Sequence, residues 1–512
     1  MTGLMTGLIT APTGSARARR ALALLAGIAS VAGFAPAGIG VLPVIALAIL
    51  IVLWATEESP RAAALLGFLF GVGLFGAGVS WVYVSLHEFG MMPAPLAALA
   101  TLLWCLYLAL YPALAGSLQA RLGAPPALRA LVLAPALWVL TEWARGWMLT
   151  GFPWLALGYS QTDTPLGGFA PVAGVYGVSL AAMLASGALA AALLCRRTGS
   201  RIAVLAFGMA LAAGGAALKS VSWTTPTGAP FAAALVQGNI EQSMKFDPAR
   251  YPATLATYRR LIESAKARLV LLPETAIPRL LDQVDPDYLD ALAREARDAG
   301  EDLVVGAPIR DRAGNFYNAV FTMGTSPLQF FAKRHLVPLG EFVPPEFGWI
   351  VSVLHIPLSD FSRGGPPRPL RIAGERVAMT ICYEDAFGEE LIEQLPEATV
   401  LGNASNVAWF GDSLAPDQHM QMSRMRSMET GRYMLRSTNT GATAAIDERG
   451  RVVARLPPFS EGVLRVEARG FEGATPYVRM GNTPVLAACA FAVLACIAWA
   501  LWSLRSRRAR AV

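Results

Sequence analysis

Apolar residues do not alternate evenly along this chain. From the N-terminus to about Lys219 they fall in long runs, each broken by a short polar cluster. A hydrocarbon layer about 30 Å thick takes roughly 20 helical residues to cross. Runs of that order lie at 21–34, 39–54, 62–84, 94–118, 127–148, 168–194 and 202–218. The pattern then changes. Residues 223–480 carry short apolar runs of strand length between amphipathic stretches, and 484–504 is apolar again. The expected organisation is seven transmembrane helices in 1–222, a water-facing domain in 223–480, and an eighth helix with a basic tail in 481–512. Arg17, Arg19, Arg20, Arg61, Arg121, Arg129, Arg196, Arg197, Arg201, Arg505, Arg507, Arg508 and Arg510 all fall on one set of alternate loops and ends. Positive charge stays cytoplasmic. Both termini are therefore expected inside, with 223–480 on the outer, periplasmic face of a bacterial cytoplasmic membrane.

Composition supports this picture. The 512 residues are 54% hydrophobic and only 15% charged, which excludes a disordered or wholly soluble chain. The net charge of +6 sits largely at helix ends, where topology accounts for it, so nucleic acid is not an expected partner. The stretch Gly71-Val-Gly73-Leu-Phe-Gly76 matches a dinucleotide fingerprint in form. That motif has meaning only between a strand and a helix; inside an apolar helix, small residues serve close helix packing.

Within 223–480, strands are predicted at 232–236, 269–272, 303–305, 377–381 and 399–401, and helices at 253–267 and 288–299. The alternation indicates a layered α/β domain. Three polar landmarks stand at or just beyond strand ends: Pro273-Glu274-Thr275, Lys333-Arg334-His335 and Cys382-Tyr383-Glu384. Of five cysteines, Cys382 is the only one in this domain, so it has no disulfide partner there. A lone cysteine is commonly a small buried hydrophobe. Here it follows an apolar strand and precedes an acidic first helical turn, a strand–turn–helix arrangement that can expose a nucleophile beside main-chain N–H donors. Lys333 is one of only four lysines against 38 arginines. It is either a solvated cation beside Arg334 or a compact ammonium suited to a carboxylate and an oxyanion. Glu274 is either an ordinary strand-end carboxylate or a general base.

Taken together, Glu274, Lys333 and Cys382 in this order resemble the nitrilase, or carbon–nitrogen hydrolase, superfamily. Longer stretches, Leu235-Val-Gln-Gly-Asn-Ile240, Lys333-Arg-His-Leu-Val-Pro-Leu-Gly-Glu-Phe-Val-Pro344, Met425-Arg-Ser-Met-Glu-Thr-Gly431, Thr438-Asn-Thr-Gly441, Thr475-Pro-Tyr477 and Gly151-Phe-Pro-Trp154, are similar to the apolipoprotein N-acyltransferase family. The resemblance implies an eight-helix transmembrane bundle carrying an αββα sandwich. It implies Glu274 as general base, Lys333 as stabiliser of the tetrahedral intermediate and Cys382 as the acylated nucleophile, supported by Glu341, Tyr383 and Glu384. Phe246, Trp349, Asn406, Trp409 and Arg145 become candidates for substrate or lipid contact. The sequence departs from the family pattern at Val407, where Asp is usual, and at Phe246, where Trp is usual.

The implied reaction moves an acyl chain from a phospholipid, with phosphatidylethanolamine the expected donor, through a thioester on Cys382. The acceptor is the α-amino group of a diacylglyceryl-cysteine on an apolipoprotein, and no cofactor or metal is expected. A thioester needs shelter from water, and the apolar stretch 342–356 reads either as an arm dipping into the outer leaflet, with Trp349 suited to the interface, or as a segment packed against the domain core. Glu142 and Arg145, three apart near a helix end, could pair with each other or meet a lipid headgroup. A tethered amidase would explain the domain but leave the many spans without purpose. A transporter should show internal repeats or ionisable groups at span centres.

Overall fold

The computed structural model describes residues 15–338, 340–343 and 360–509, with side chains described as far as Trp502. Trp349 and most of the expected 342–356 arm lie outside the described residues. The chain forms two compact units. One holds the residues up to Tyr83, Pro95–Val221 and the residues from Met480 onward; the other holds Val84–Ala94 and Ser222–Arg479.

In the first unit, six helices among the described residues are long and apolar enough to cross a membrane: Pro60–Gly78, Ala94–Arg121, Pro126–Arg145, Pro165–Leu194, Thr198–Lys219 and Thr483–Trp502. The first two expected spans are helices of 15 residues each, Ala16–Ser30 and Val41–Ala55. At 1.5 Å per residue each covers only about 22 Å. A turn around Pro36 and Gly38 separates them, and the second ends at Thr56, just before the acidic pair Glu57-Glu58. The glycine motif lies wholly inside the helix Pro60–Gly78. A Cβ on Gly73 would fall 2.2 Å from the Leu24 carbonyl oxygen, and one on Gly71 would fall 2.7 Å from the Ala109 Cα. The glycines therefore let neighbouring helix backbones touch. Glu142 and Arg145 form no direct ion pair. The Arg145 guanidinium donates to the Phe152 and Trp154 carbonyls at 2.6 Å each, and Glu142 accepts from the Leu157 main-chain N–H and the Trp138 indole. Both side chains fasten the irregular segment after their helix.

Among the described residues of the second unit, twelve strands form two six-stranded sheets. The first sheet contains β1 (Thr225–Gln237), β2 (Leu269–Leu271), β3 (Asp302–Arg310), β4 (Phe316–Gly324), β5 (Phe330–Ala332) and β12 (Gly462–Glu472), in the order β12-β1-β2-β3-β4-β5. The second contains β6 (Leu370–Ile372), β7 (Glu375–Ile381), β8 (Val400–Ser405), β9 (Met434–Thr438), β10 (Ala444–Ile446) and β11 (Val452–Arg455), in the order β11-β10-β9-β8-β7-β6. The pairings β1–β2, β2–β3, β7–β8 and β8–β9 are parallel, and each sheet is flanked by antiparallel strands. The two halves therefore repeat one topology, β7 to β11 answering β1 to β5. β1 and β2 pack on β9, so the sheets face each other.

Helices cover the outer faces. Tyr251–Ala265 and Pro286–Ala299 bury Tyr258, Leu261, Ile262, Leu292 and Ala296 against Val236, Val270, Leu303 and Val305 of the first sheet. Asp285 caps the second of these helices by accepting from the Asp287 N–H, with Pro286 at the first helical position and Gly300 closing the end at φ +71°. The helix Ala415–Thr430 lies against β9. All five predicted strands and both predicted helices are present. The parallel strands were legible because burial on both faces gives near-continuous apolar text.

Candidate active site

Parallel strands in α/β layers deliver their C-terminal ends, and the turns after them, to one edge. Glu274 follows β2, Lys333 follows β5, Cys382 follows β7 and Asn406 follows β8. Glu274 and Asn406 thus occupy matching places in the two half-repeats. They meet directly: the Asn406 main-chain N–H donates to Glu274 Oε2 at 2.9 Å.

The other oxygen of Glu274 is equally engaged. Oε1 accepts from Asn318 Nδ2 of β4 at 2.6 Å and lies 3.4 Å from Lys333 Nζ. Lys333 is 1% exposed and reaches Glu341 Oε1 at 3.0 Å as well. Asn318 Nδ2 also donates to Glu341 Oε1 at 2.7 Å, so one amide and one ammonium bridge the two carboxylates. The second oxygen of Glu341 accepts the Val337 N–H at 2.8 Å. A lysine with two carboxylate partners is no solvated surface cation.

Cys382 is buried and sits in the left-handed region at φ +57°, a conformation costly for any residue with a Cβ. The strain is held in place by its surroundings. The Cys382 carbonyl accepts from Asn403 Nδ2 at 2.9 Å. Glu384 accepts the N–H groups of Ile381, Arg334 and His335 at 2.7, 2.6 and 3.1 Å, which binds the Cys382 turn to the Lys333 segment. The Tyr383 hydroxyl donates to the Leu336 carbonyl at 2.9 Å and adds a second tie. Glu384 and Tyr383 therefore join the Cys382 turn to the Lys333 loop.

Beneath the turn lies a charged network that sequence reasoning missed. Asp385, His419 and Arg436 are each 0% exposed. Arg436 donates to Asp385 Oδ2, Asn403 Oδ1 and Ser423 Oγ at 2.9 Å each, and His419 Nε2 lies 2.7 Å from Asp385 Oδ1. Burial and the neighbouring Arg436 hold His419 below its ordinary pKa and hence neutral, while His419 and Arg436 keep Asp385 ionised against its burial. Asp385→Ala removes the acceptor of this buried group and should cost about 3–5 kcal/mol of stability. Thermal unfolding of the detergent-solubilised variant checks this; an unchanged midpoint would refute it.

Electrostatics assign resting protonation states. Burial pushes the Cys382 thiol well up, and the adjacent Glu274 pushes it further, so the sulfur is a neutral thiol. Burial also opposes charge on Glu274, but Lys333, Asn318 and Lys245 outweigh it and hold the carboxyl below its usual range. Lys333 is held well above its usual value by Glu274 and Glu341 despite its burial. Glu384 is pushed up to about 7 by burial, with its three main-chain donors resisting. A neutral thiol with an ionised carboxylate nearby could act as a nucleophile once a base took its proton.

The remaining candidates are placed unevenly. Asn406 is buried, and its side-chain amide donates to Gln242 Oε1 at 2.7 Å, behind Glu274. Phe246 and Trp409 are partly exposed, 44% and 38%. Trp409 packs edge-on to Phe89 at 6.3 Å between centroids, and its carbonyl accepts from Ser85 Oγ at 2.7 Å. Arg145 belongs to the other unit, where its buried guanidinium donates to the Phe152 and Trp154 main-chain carbonyls. Asn318 was missed because an asparagine inside a strand carries no sequence signal for bridging two carboxylates.

Two facing sheets with a buried glutamate, lysine and cysteine at strand ends define a carbon–nitrogen hydrolase domain, and the carbon–nitrogen hydrolase family model matches residues 232–470. A second model, described as the apolipoprotein N-acyltransferase N-terminal domain, matches residues 26–188. Apolipoprotein N-acyltransferase from Nitrosomonas europaea is 50% identical over 92% of this chain and 95% of its own. The proteins of that name from Methylococcus capsulatus and Ralstonia nicotianae are 45% and 42% identical, covering 93% and 98% of this chain and 95% and 96% of their own. The chain belongs to the apolipoprotein N-acyltransferase family.

Proposed function

We propose that this chain is a membrane-bound N-acyltransferase that moves an acyl chain from a phospholipid, with phosphatidylethanolamine the donor, to the free α-amino group of a diacylated apolipoprotein. The observation that carries the residue assignment is the buried Lys333, bonded to both Glu274 and Glu341 beside the strained Cys382 turn.

The chemistry runs in two half-reactions. Glu274 takes the Cys382 thiol proton as Sγ attacks the ester carbonyl carbon of the phospholipid. The oxyanion that develops is met by the Lys333 ammonium and nearby main-chain N–H groups, donors worth about 3–4 kcal/mol each in comparable sites. The carbon–oxygen ester bond breaks, the lysophospholipid leaves with the proton from Glu274, and a thioester remains on Cys382. The acceptor amine then attacks that thioester. Glu274 takes the amine proton, the carbon–sulfur bond breaks, and the proton returns to sulfur as the amide forms. Glu341 positions Lys333 in both halves. Phe246, Asn406 and Trp409 shape the approach for lipid and acceptor.

The chain is organised as 1–222, 223–480 and 481–512, with eight crossings, both termini cytoplasmic and the catalytic domain periplasmic. The two 15-residue helices form a consecutive pair. Counting both or neither as crossings leaves the domain on the same side, opposite the arginine-bearing loops.

The test is intact-protein mass spectrometry of the purified protein with phosphatidylethanolamine, followed by addition of a diacylated lipopeptide. The expected result is one added acyl mass on the protein, lost on addition of the peptide and recovered on it. An adduct shed to water with no triacylated peptide would make the protein a tethered amidase instead.

A further inference from the structure

Two of the chain's four lysines are buried at this site, and the mechanism above uses only one. Lys245 follows the short turn Gln242–Met244 and is 2% exposed. Its ammonium donates to the main-chain carbonyl oxygen of Glu274 at 3.0 Å. Its other two protons have no partner among the described residues. In a chain that supplies arginine nearly everywhere else, a compact ammonium has been placed on the backbone of the base itself.

Charge accounting shows what it does there. Among the described residues, the Glu274 and Glu341 side chains act only as acceptors, and Lys333 is the one ammonium bonded to them. One cation against two carboxylates leaves a buried site with an excess negative charge, and an anionic thiolate is costly in such a field. Lys245 brings the site to neutrality. The groups that face it electrostatically are Glu274, after β2, and Cys382, after β7, and both favour its charged form. By reciprocity its charge favours ionised Glu274 and the thiolate of Cys382.

We propose that Lys245 is a second positive charge of the active site, a positioning residue that holds Glu274 through its carbonyl and makes ionisation of Cys382 affordable. The proposal rests on the assignment of Glu274 as base and Cys382 as nucleophile. It adds a consequence that assignment lacks. Burial brings the Lys245 ammonium down to about 8, so it loses its proton, and the site its neutrality, as pH rises through that value. Acylation should therefore decline on the alkaline side of about 8, where a simple thiol–base pair would become more reactive.

The experiment follows acyl-enzyme formation at short times by mass spectrometry with phosphatidylethanolamine, in a pH series on either side of 8. Wild type, Lys245→Met and Lys245→Arg are compared, with Cys382→Ala as control. Lys245→Met should acylate about ten- to hundred-fold more slowly, as expected for the loss of a neighbouring charge, with no alkaline decline. Lys245→Arg keeps a charge that does not titrate in this range, and should retain acylation while also losing the decline. Wild-type behaviour of Lys245→Met, or a decline that persists in Lys245→Arg, overturns the proposal. Should Lys245→Met fail to fold, Lys245→Arg decides alone. Acyl uptake by Cys382→Ala would instead overturn the nucleophile assignment, leaving the two failures distinct.

Discussion

Cys382→Ala should abolish the acyl-enzyme outright, whereas Glu274→Gln should leave it forming about 10²–10⁴-fold more slowly, the usual worth of a general base. The difference follows from the resting state. Alanine has no nucleophile, and no other cysteine lies in the described part of the catalytic unit. Glutamine keeps a carbonyl oxygen for the Asn406 N–H but cannot take a proton, while the thiol it should deprotonate is pushed far above neutrality by burial. Glu274→Gln also removes the negative charge that raises the thiol, so some thiolate returns at alkaline pH and acylation should rise there. Alkylation of Cys382 by iodoacetamide, followed by mass across a pH series, reads this without lipid. A Glu274→Gln variant with the wild-type profile would remove Glu274 from the role of base.

Lys333→Met is the second large effect, and it combines a loss of rate with a loss of stability. The ammonium is buried and bonded at 3.4 and 3.0 Å to two carboxylates that share one asparagine. Methionine fills similar space with no charge. Two carboxylates then face each other with only Asn318 between them. Removing one partner of a buried ion pair costs about 3–5 kcal/mol, and losing an oxyanion donor slows turnover about 10²–10³-fold. Lys333 is the leading influence that lowers the Glu274 carboxyl. Without it, Glu274 holds its proton to higher pH, so the acid limb of the pH–rate profile moves upward. A depressed melting midpoint together with that upward shift is expected; a loss of rate with an unmoved acid limb would show that Lys333 does not act on Glu274.

Several features are legible in the sequence alone because their causes are local. Helices such as Pro165–Leu194 and Thr483–Trp502 follow from apolar runs, and β2 and β7 from apolar text buried on both faces. β9 went unread because its second half, Arg436-Ser-Thr438, is polar and yet wholly buried. Apolar pattern cannot find a strand whose side chains are satisfied by Asp385, His419 and Asn403 from elsewhere in the chain. The first two expected spans are present as 15-residue helices, Ala16–Ser30 and Val41–Ala55, close in length to their apolar runs.

Glu274, Lys333 and Cys382 stand out from the chain itself, through position at strand ends, the scarcity of lysine and the single cysteine of the domain. Their protonation states do not, because these depend on groups far apart in sequence. Asn318 lies 44 residues from Glu274, Asn406 lies 132 residues away, and Lys245 reaches its carbonyl from 29 residues before it. A side chain's type and its neighbours in sequence decide which chemistry it can offer. Burial, and the charges that folding brings within a few ångströms, decide which of Cys382, Glu274 and Lys245 carries the proton, and only packing two sheets face to face creates that field.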